Sequence, residues 1–104
     1  MDKKEYLAII RYDLKEVEEL FKTIPSDPLM DNLLHKAADL RHTVLYFWWQ
    51  HVVGLSTNTI EKAQRTISKI NSNDLNSLED VKNLVDICYE LIKILGGNNA
   101  DYNR

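Results

Sequence analysis

The clearest sign of the fold is the stretch from residue 77 to residue 97, SLEDVKNLVDICYELIKILGG. Its apolar residues recur at spacings of three and four, which is the period of one face of an α-helix. Ser77 is typical of a helix N-cap, and Gly96 is typical of a helix C-terminus. The stretch therefore predicts a helix over residues 78–95. Its apolar set is broad, which predicts a central helix: Val81, Leu84, Val85, Cys88, Leu91, Ile92 and Leu95, extended by Ile87 and Ile94.

The same periodicity predicts three further helices toward the N-terminus, over residues 58–70, 28–53 and 3–23. Asn58 opens a capping-box pattern, and Gly54 can take the left-handed conformation that ends a helix. Pro25 must end the first helix because proline lacks a backbone donor, and Asp27 is the expected N-cap of the second. No stretch alternates with the period of a strand. The sequence therefore predicts an all-α, four-helix bundle-like domain over residues 1–97, followed by a disordered tail at 98–104.

Each of these three helices has a predicted core face. The first carries Leu7, Ile10, Leu14, Val17, Phe21 and Ile24; the second carries Leu33, Ala37, Leu40, Val44 and Phe47, widened by Leu45, Trp48 and Val52; the third carries Ile60, Ala63, Ile67 and Ile70. The third face is narrow, which predicts a peripheral position for that helix.

Composition limits the class of protein. The chain has 104 residues, of which 44% are hydrophobic and 28% charged, which is typical of a globular domain. A formal net charge of −3 gives no overall attraction to nucleic acid or anionic lipid. Cys88 is the only cysteine, which favours a reducing compartment, and no apolar stretch is long enough for a membrane span. We therefore expect a soluble, cytoplasmic protein without a cofactor.

The second half of the second helix is the main anomaly. Residues 44–53, VLYFWWQHVV, are apolar nearly all the way round, so that Tyr46 and Trp49 continue a face that is polar one turn earlier. A helix in a small bundle cannot bury its whole circumference within its own chain unless it is surrounded. Either the third helix and the turn at Gly54 cover Tyr46 and Trp49, or another molecule does.

Exposed aromatic residues usually mark binding sites, and Trp and Tyr contribute most to binding energy at interfaces. The leading hypothesis is a small non-enzymatic interaction protein: a regulator, an inhibitor or an oligomeric adaptor whose partner is another protein or a second copy. The predicted partner-binding residues are His42, Tyr46, Trp49, Gln50 and Val53. A smaller possibility is nucleobase stacking on Tyr46 and Trp49, with Arg41 nearby.

Residues 54–60, GLSTNTI, support a second hypothesis. The stretch resembles the turn and the start of the recognition helix in helix-turn-helix proteins, with Gly54 making the turn and Ser56 capping the helix. This resemblance implies a nucleic-acid-binding module in which contacts come from Ser56, Thr57, Asn58, Lys62, Arg65 and Lys69. Gln50 stands where the family usually has a small residue. The alternative is an ordinary Gly C-cap followed by a Ser or Asn N-cap.

Two groups of possible metal ligands, one of histidine and aspartate and one of carboxylates, raise the question of a metal site. His35, Asp39 and His42 share one face of the second helix, where they could bind a divalent ion, although that face is also the expected solvent face. Glu16 and Glu19, taken with Asp39, resemble the magnesium-binding pattern of all-α nucleotide pyrophosphohydrolases.

The second resemblance implies a metal-dependent helical hydrolase. Lys36, however, stands where the third carboxylate of that pattern belongs. The alternative is a solvated acidic face. We therefore predict no bound metal and no catalytic residue.

Overall fold

A computed structural model of the chain describes residues 2–23, 27–51 and 54–96, without the side chains of residues 27–29, 50 and 51. The described residues form four α-helices and no strand: α1 (Lys3–Thr23), α2 (Asp27–His51), α3 (Thr57–Asn71) and α4 (Leu78–Ile94). The predicted all-α, four-helix bundle-like fold is thereby confirmed. The predictions for Ile24, Pro25, Val52 and Val53 and for the tail at 98–104 lie outside the described residues.

Serine side chains cap α3 and α4. The Ser77 hydroxyl oxygen accepts a hydrogen bond from the Asp80 backbone N–H at 3.2 Å, as predicted. The Ser56 hydroxyl accepts one from the Thr59 N–H at 3.2 Å, so that α3 begins at Thr57. The predicted capping box at Asn58 is therefore wrong, because the earlier serine supplies the acceptor and leaves Asn58 inside the first turn.

The core lies between two closely packed helix pairs. The helix α1 packs mainly along α2, and α3 packs mainly along α4, while α2 and α4 each contact all three other helices. The seven main residues of the apolar set predicted for α4 are buried, and its extensions Ile87 and Ile94 are partly buried; the seven are Val81, Leu84, Val85, Cys88, Leu91, Ile92 and Leu95. This burial confirms the broad core face predicted for α4. In the described part of the chain, no helix combines the length and the apolar character that a membrane span requires.

Among the described side chains of α2, the core face continues from Val44 to Trp48 and not to Phe47. Trp48 is only 8% exposed, whereas Phe47 is partly buried at the edge of the core. Either residue fits the helical period after Val44, since spacings of three and four both return to the same face. Trp48 is the residue that packs into the core beside Tyr6, and their ring centroids lie 6.1 Å apart.

Tyr6 is a core residue that the predicted core face of α1 did not include, although it lies one turn before Ile10. It is fully buried, and its hydroxyl donates a hydrogen bond to the Val44 backbone carbonyl at 2.7 Å. Burial raises the pKa of this phenol well above its usual value, with a smaller contribution from Cys88. Burial also raises the pKa of the Cys88 thiol to about 12, with a smaller contribution from the charge of Asp13.

We expect Leu14→Ala and Leu91→Ala each to lower the free energy of unfolding by about 2–5 kcal/mol, because both side chains are buried centrally and truncation leaves cavities. Urea unfolding followed by circular dichroism measures this change. Lys15→Ala, at the exposed position next to Leu14, is the control and should change stability by about 0.5 kcal/mol or less. Leucine variants that behave like this control would contradict the assigned helix faces.

We also expect stability to fall at alkaline pH. In the unfolded chain Cys88 ionises near its ordinary pKa of 9.0, but in the folded protein only near about 12. The folded protein thus favours the protonated thiol, so the free energy of unfolding is unaffected by this group below pH 9.0. It falls as the pH rises from 9.0 toward 12. The loss from about pH 8 to about pH 10 should be on the order of 1 kcal/mol. Cys88→Ala should reduce this loss of stability between about pH 8 and about pH 10, whatever the effect of the substitution at pH 7. If the loss is unchanged in the variant, the thiol is not its source.

Candidate functional site

A polar cleft of about 300 Å³ lies where α1 packs along α2. Its lining residues are Asp13 and Glu16 from α1 and Lys36, Asp39, His42 and Thr43 from α2. The spacings of three, four and seven residues place each set on one side of its helix. The two helices run antiparallel, since Glu16 contacts Lys36 while Tyr6, earlier on α1, contacts Val44, later on α2. The cleft is therefore a direct product of the register between these helices.

An ion pair links the two walls of the cleft. The Lys36 ammonium donates a hydrogen bond from Nζ to Glu16 Oε1 at 3.1 Å. This hydrogen bond lowers the pKa of Glu16 and raises the pKa of Lys36. Both groups are therefore held in their charged forms at neutral pH, and the one lysine of the cleft is engaged by one of its three carboxylates.

Asp13 has a less favourable environment. Burial is the main cause that raises the pKa of its carboxyl group from 3.8, and the negative charges of Glu16 and Asp39 raise it further. A hydrogen bond from the Thr43 side chain and the charge of Lys36 act in the opposite direction but do not cancel the rise. The cleft thus holds three carboxylates against one ammonium group, and its electrostatic potential favours a cation.

A row of ring side chains continues from the cleft toward the C-terminal end of α2. We call His42, Tyr46 and Trp49 the aromatic row. The His42 and Tyr46 rings are stacked at 5.8 Å and 18°, and the Phe47 ring meets the edge of Tyr46 at 5.2 Å. Tyr46 is 44% exposed and Trp49 is 66% exposed. Trp49 is therefore not covered by α3 or by the other described residues, which argues against the first of the two explanations given for this surface.

The remaining predicted partner-binding residues are only partly testable. Val53 lies outside the described residues, as does the side chain of Gln50. His42 is exposed and belongs to both the cleft and the aromatic row. It is the residue that joins the two features into one continuous surface.

The structure separates the metal-ligand candidates. Asp39 and His42 line the cleft, but His35 does not, and its Nδ1 lies 3.1 Å from the Asp31 backbone carbonyl on the exposed side of α2. Among the residues that the structure describes, no group of three or more His, Cys, Asp or Glu side chains is placed to hold a metal ion.

The three carboxylates of the pattern that resembles pyrophosphohydrolases do not all lie in the cleft. Glu16 and Asp39 share the cleft, whereas Glu19 is exposed and pairs with Lys22 on its own helix at 3.9 Å. The acidic neighbour of Glu16 in the cleft is Asp13, which the sequence reasoning missed. Asp13 precedes Glu16 by three residues, so the same helical spacing offered it as an alternative to Glu19.

The predicted nucleic-acid-binding residues lie on α3 and its N-terminus. Thr57, Asn58, Lys62 and Arg65 are exposed, whereas Ser56 serves as the N-cap. The Lys69 ammonium pairs with Glu90 of α4 at 3.4 Å, so a neighbouring carboxylate offsets part of this basic face. Arg41 donates to the Asn73 backbone carbonyl in the α3–α4 loop, where it stabilises the bundle.

We expect Asp13→Asn to raise the free energy of unfolding at pH 7. A carboxyl group whose pKa is raised in the folded state disfavours folding when it is ionised in both states, and this cost disappears below the unfolded pKa of 3.8. The gain should therefore shrink as the pH falls from 7 toward 3.8, as urea unfolding over that range would measure. Glu16→Gln is the matched control with the opposite sign, because the pKa of Glu16 is lowered. Equal losses of stability in both variants at pH 7 would contradict this assignment.

Comparison of the chain with protein-family models, with curated proteins and with solved structures gives no match. The cleft and the aromatic row are therefore the basis for a functional proposal.

Proposed function

We propose that this chain is a small non-enzymatic interaction protein, acting as a regulator, an inhibitor or an adaptor, and that its partner binds over the aromatic row of α2. The observation that carries the proposal is the exposure of Trp49, at 66%, beside Tyr46, at 44%. An exposed indole contributes little to the stability of a monomer, whereas burial under a partner removes a large apolar area from water. Binding is the role that makes use of this side chain.

The neighbouring tryptophan supports this interpretation. Trp48 is 8% exposed and completes the core beside Tyr6. Since consecutive helical residues point about 100° apart, burial of Trp48 directs Trp49 to another side of α2. Trp48 thus contributes to the packing of the core, whereas Trp49 is exposed and available to a partner.

Ring contacts also hold part of the aromatic row in position. Its side chains stand on a regular helix, and the stack of His42 on Tyr46 together with the edge contact of Phe47 restricts the Tyr46 ring. A surface whose side chains are already held in position loses less conformational entropy when a partner binds. This arrangement is typical of an interface anchor.

Two features, one in the cleft and one in the core, favour binding over catalysis. The Lys36 ammonium pairs with Glu16 in the position where a magnesium-dependent hydrolase would need a third carboxylate. Cys88 is buried in the core, where its raised pKa keeps the thiol protonated and unreactive at neutral pH.

The two adjacent tryptophans provide a matched test. Trp49→Ala should cost about 1 kcal/mol of stability or less, whereas Trp48→Ala should cost about 3–5 kcal/mol, as for a buried aromatic residue. Trp49→Ala should nevertheless weaken partner binding or self-association by about 2 kcal/mol or more, roughly 30-fold. Unfolding in urea gives the first comparison, and sedimentation of the purified variants tests self-association.

A photo-crosslinking amino acid at position 49, compared with one at exposed Lys82 on α4, identifies the bound protein in cells, and its affinity is then measured with purified components. The proposal fails if the protein is monomeric and no crosslink depends on position 49. It also fails if Trp49→Ala binds the identified partner as tightly as the unchanged chain.

A further inference from the structure

The acidic cleft and the aromatic row form one surface, and this continuity restricts what can bind there. His42 lines the cleft and also stacks on Tyr46 at 5.8 Å. Trp49 stands on the same helix one turn from Tyr46, and the other lining residues of the cleft on this helix are Lys36, Asp39 and Thr43. A partner that covers Tyr46 and Trp49 therefore lies beside the mouth of the cleft and removes water from it.

We propose that the partner is a protein that inserts an arginine side chain into the cleft, next to an apolar side chain that covers Trp49. This inference rests on the proposed binding function and specifies the chemistry of the partner. The guanidinium group lies between Asp13 and Asp39 and against the ring of His42 at the start of the aromatic row.

Charge is the first argument for this partner. The one lysine of the cleft is held by Glu16 at 3.1 Å, so the cleft keeps a surplus of negative charge at Asp13 and Asp39. Taking carboxylates out of water without a counter-charge is strongly unfavourable. Asp13 is already partly desolvated, and the like charges of Glu16 and Asp39 act on it. A neutral or acidic partner would increase this cost, whereas a cationic side chain offsets it.

The shape and chemistry of the walls favour arginine over lysine. A guanidinium group is planar, donates to two carboxylates at once and stacks on aromatic rings. The cleft offers carboxylates from both helices, and it is also lined by the ring of His42, which stacks on Tyr46. Lysine provides a point charge and gains less from such a flat wall.

A second copy of this chain is a poorer occupant. Two-fold pairing through this surface would bring the same acidic cleft from each subunit toward the interface, and like charges there oppose association. The exposed cations Lys62 and Arg65 stand on α3, which forms no part of the cleft. If α3 of one copy bound the cleft of another, the contact would be head-to-tail. Head-to-tail contacts give a closed oligomer only if successive subunits return to the first one in a ring.

The test uses two blocked tripeptides, Leu-Arg-Leu and Leu-citrulline-Leu, titrated into the ¹⁵N-labelled chain. Citrulline has the shape of arginine without its charge. We expect the arginine peptide to shift the amide signals of Asp13, Asp39 and Thr43 and the indole N–H signal of Trp49, in a saturable manner. Its affinity should exceed that of the citrulline peptide by roughly tenfold or more at low salt and lose this advantage between about 50 and 500 mM salt.

Variants of the chain assign the effect to the cleft. The double variant Asp13→Asn/Asp39→Asn should bind the arginine peptide no better than the citrulline peptide. Glu19→Gln removes an exposed carboxylate of α1 outside the cleft and should leave the preference for arginine unchanged.

Equal affinity of both peptides for the unchanged chain, with the Trp49 signal shifting in each case, would overturn the arginine inference and leave the aromatic row as a binding surface. Absence of any saturable shift would overturn the inference as well. The crosslinking and affinity measurements at position 49 decide the proposed function independently of both outcomes.

Discussion

The hydroxyl group of Tyr6 donates to the Val44 backbone carbonyl at 2.7 Å inside the core, and the packing of α1 against α2 depends on this contact. A buried hydroxyl without a partner is costly, so the hydrogen bond selects one register between the two helices. That register places Tyr6 against Trp48 and brings Glu16 to Lys36 at 3.1 Å, some ten residues further along α1. The cleft exists only in this alignment, since a slip of one turn would separate its two walls.

The same alignment determines which aromatic residue faces outward. Trp48 fills the space beside Tyr6, and a regular helix then turns its neighbour away from the core. This geometry accounts for the exposure of Trp49. The core and the aromatic row thus use consecutive residues of one helix, Trp48 and Trp49.

Most of the fold follows from periodicity and capping. The apolar spacing on α4 predicted its buried face correctly, and Ser77 was recognised as its N-cap. Tyr6 fits the helical period one turn before Ile10, but a phenol at such a position is buried only if a distant carbonyl accepts its hydrogen bond. Phe47 and Trp48 were equally compatible with the helical period until the position of Tyr6 was known. Asp13 was missed for a similar reason, since the spacing along α1 alone does not tell which acidic side chain meets α2.

The negative charge in the cleft is not explained by a contribution to the stability of the fold. Burial and the charges of Glu16 and Asp39 raise the pKa of Asp13, so we expect this carboxylate to lower the stability of the bundle at neutral pH. Groups that oppose folding are common at functional sites, where stability is given up for binding. The aromatic row beside it presents apolar area that the monomer does not bury. A cation that neutralises the cleft, carried by a partner whose apolar side chain covers Trp49, would relieve both unfavourable features in one binding event.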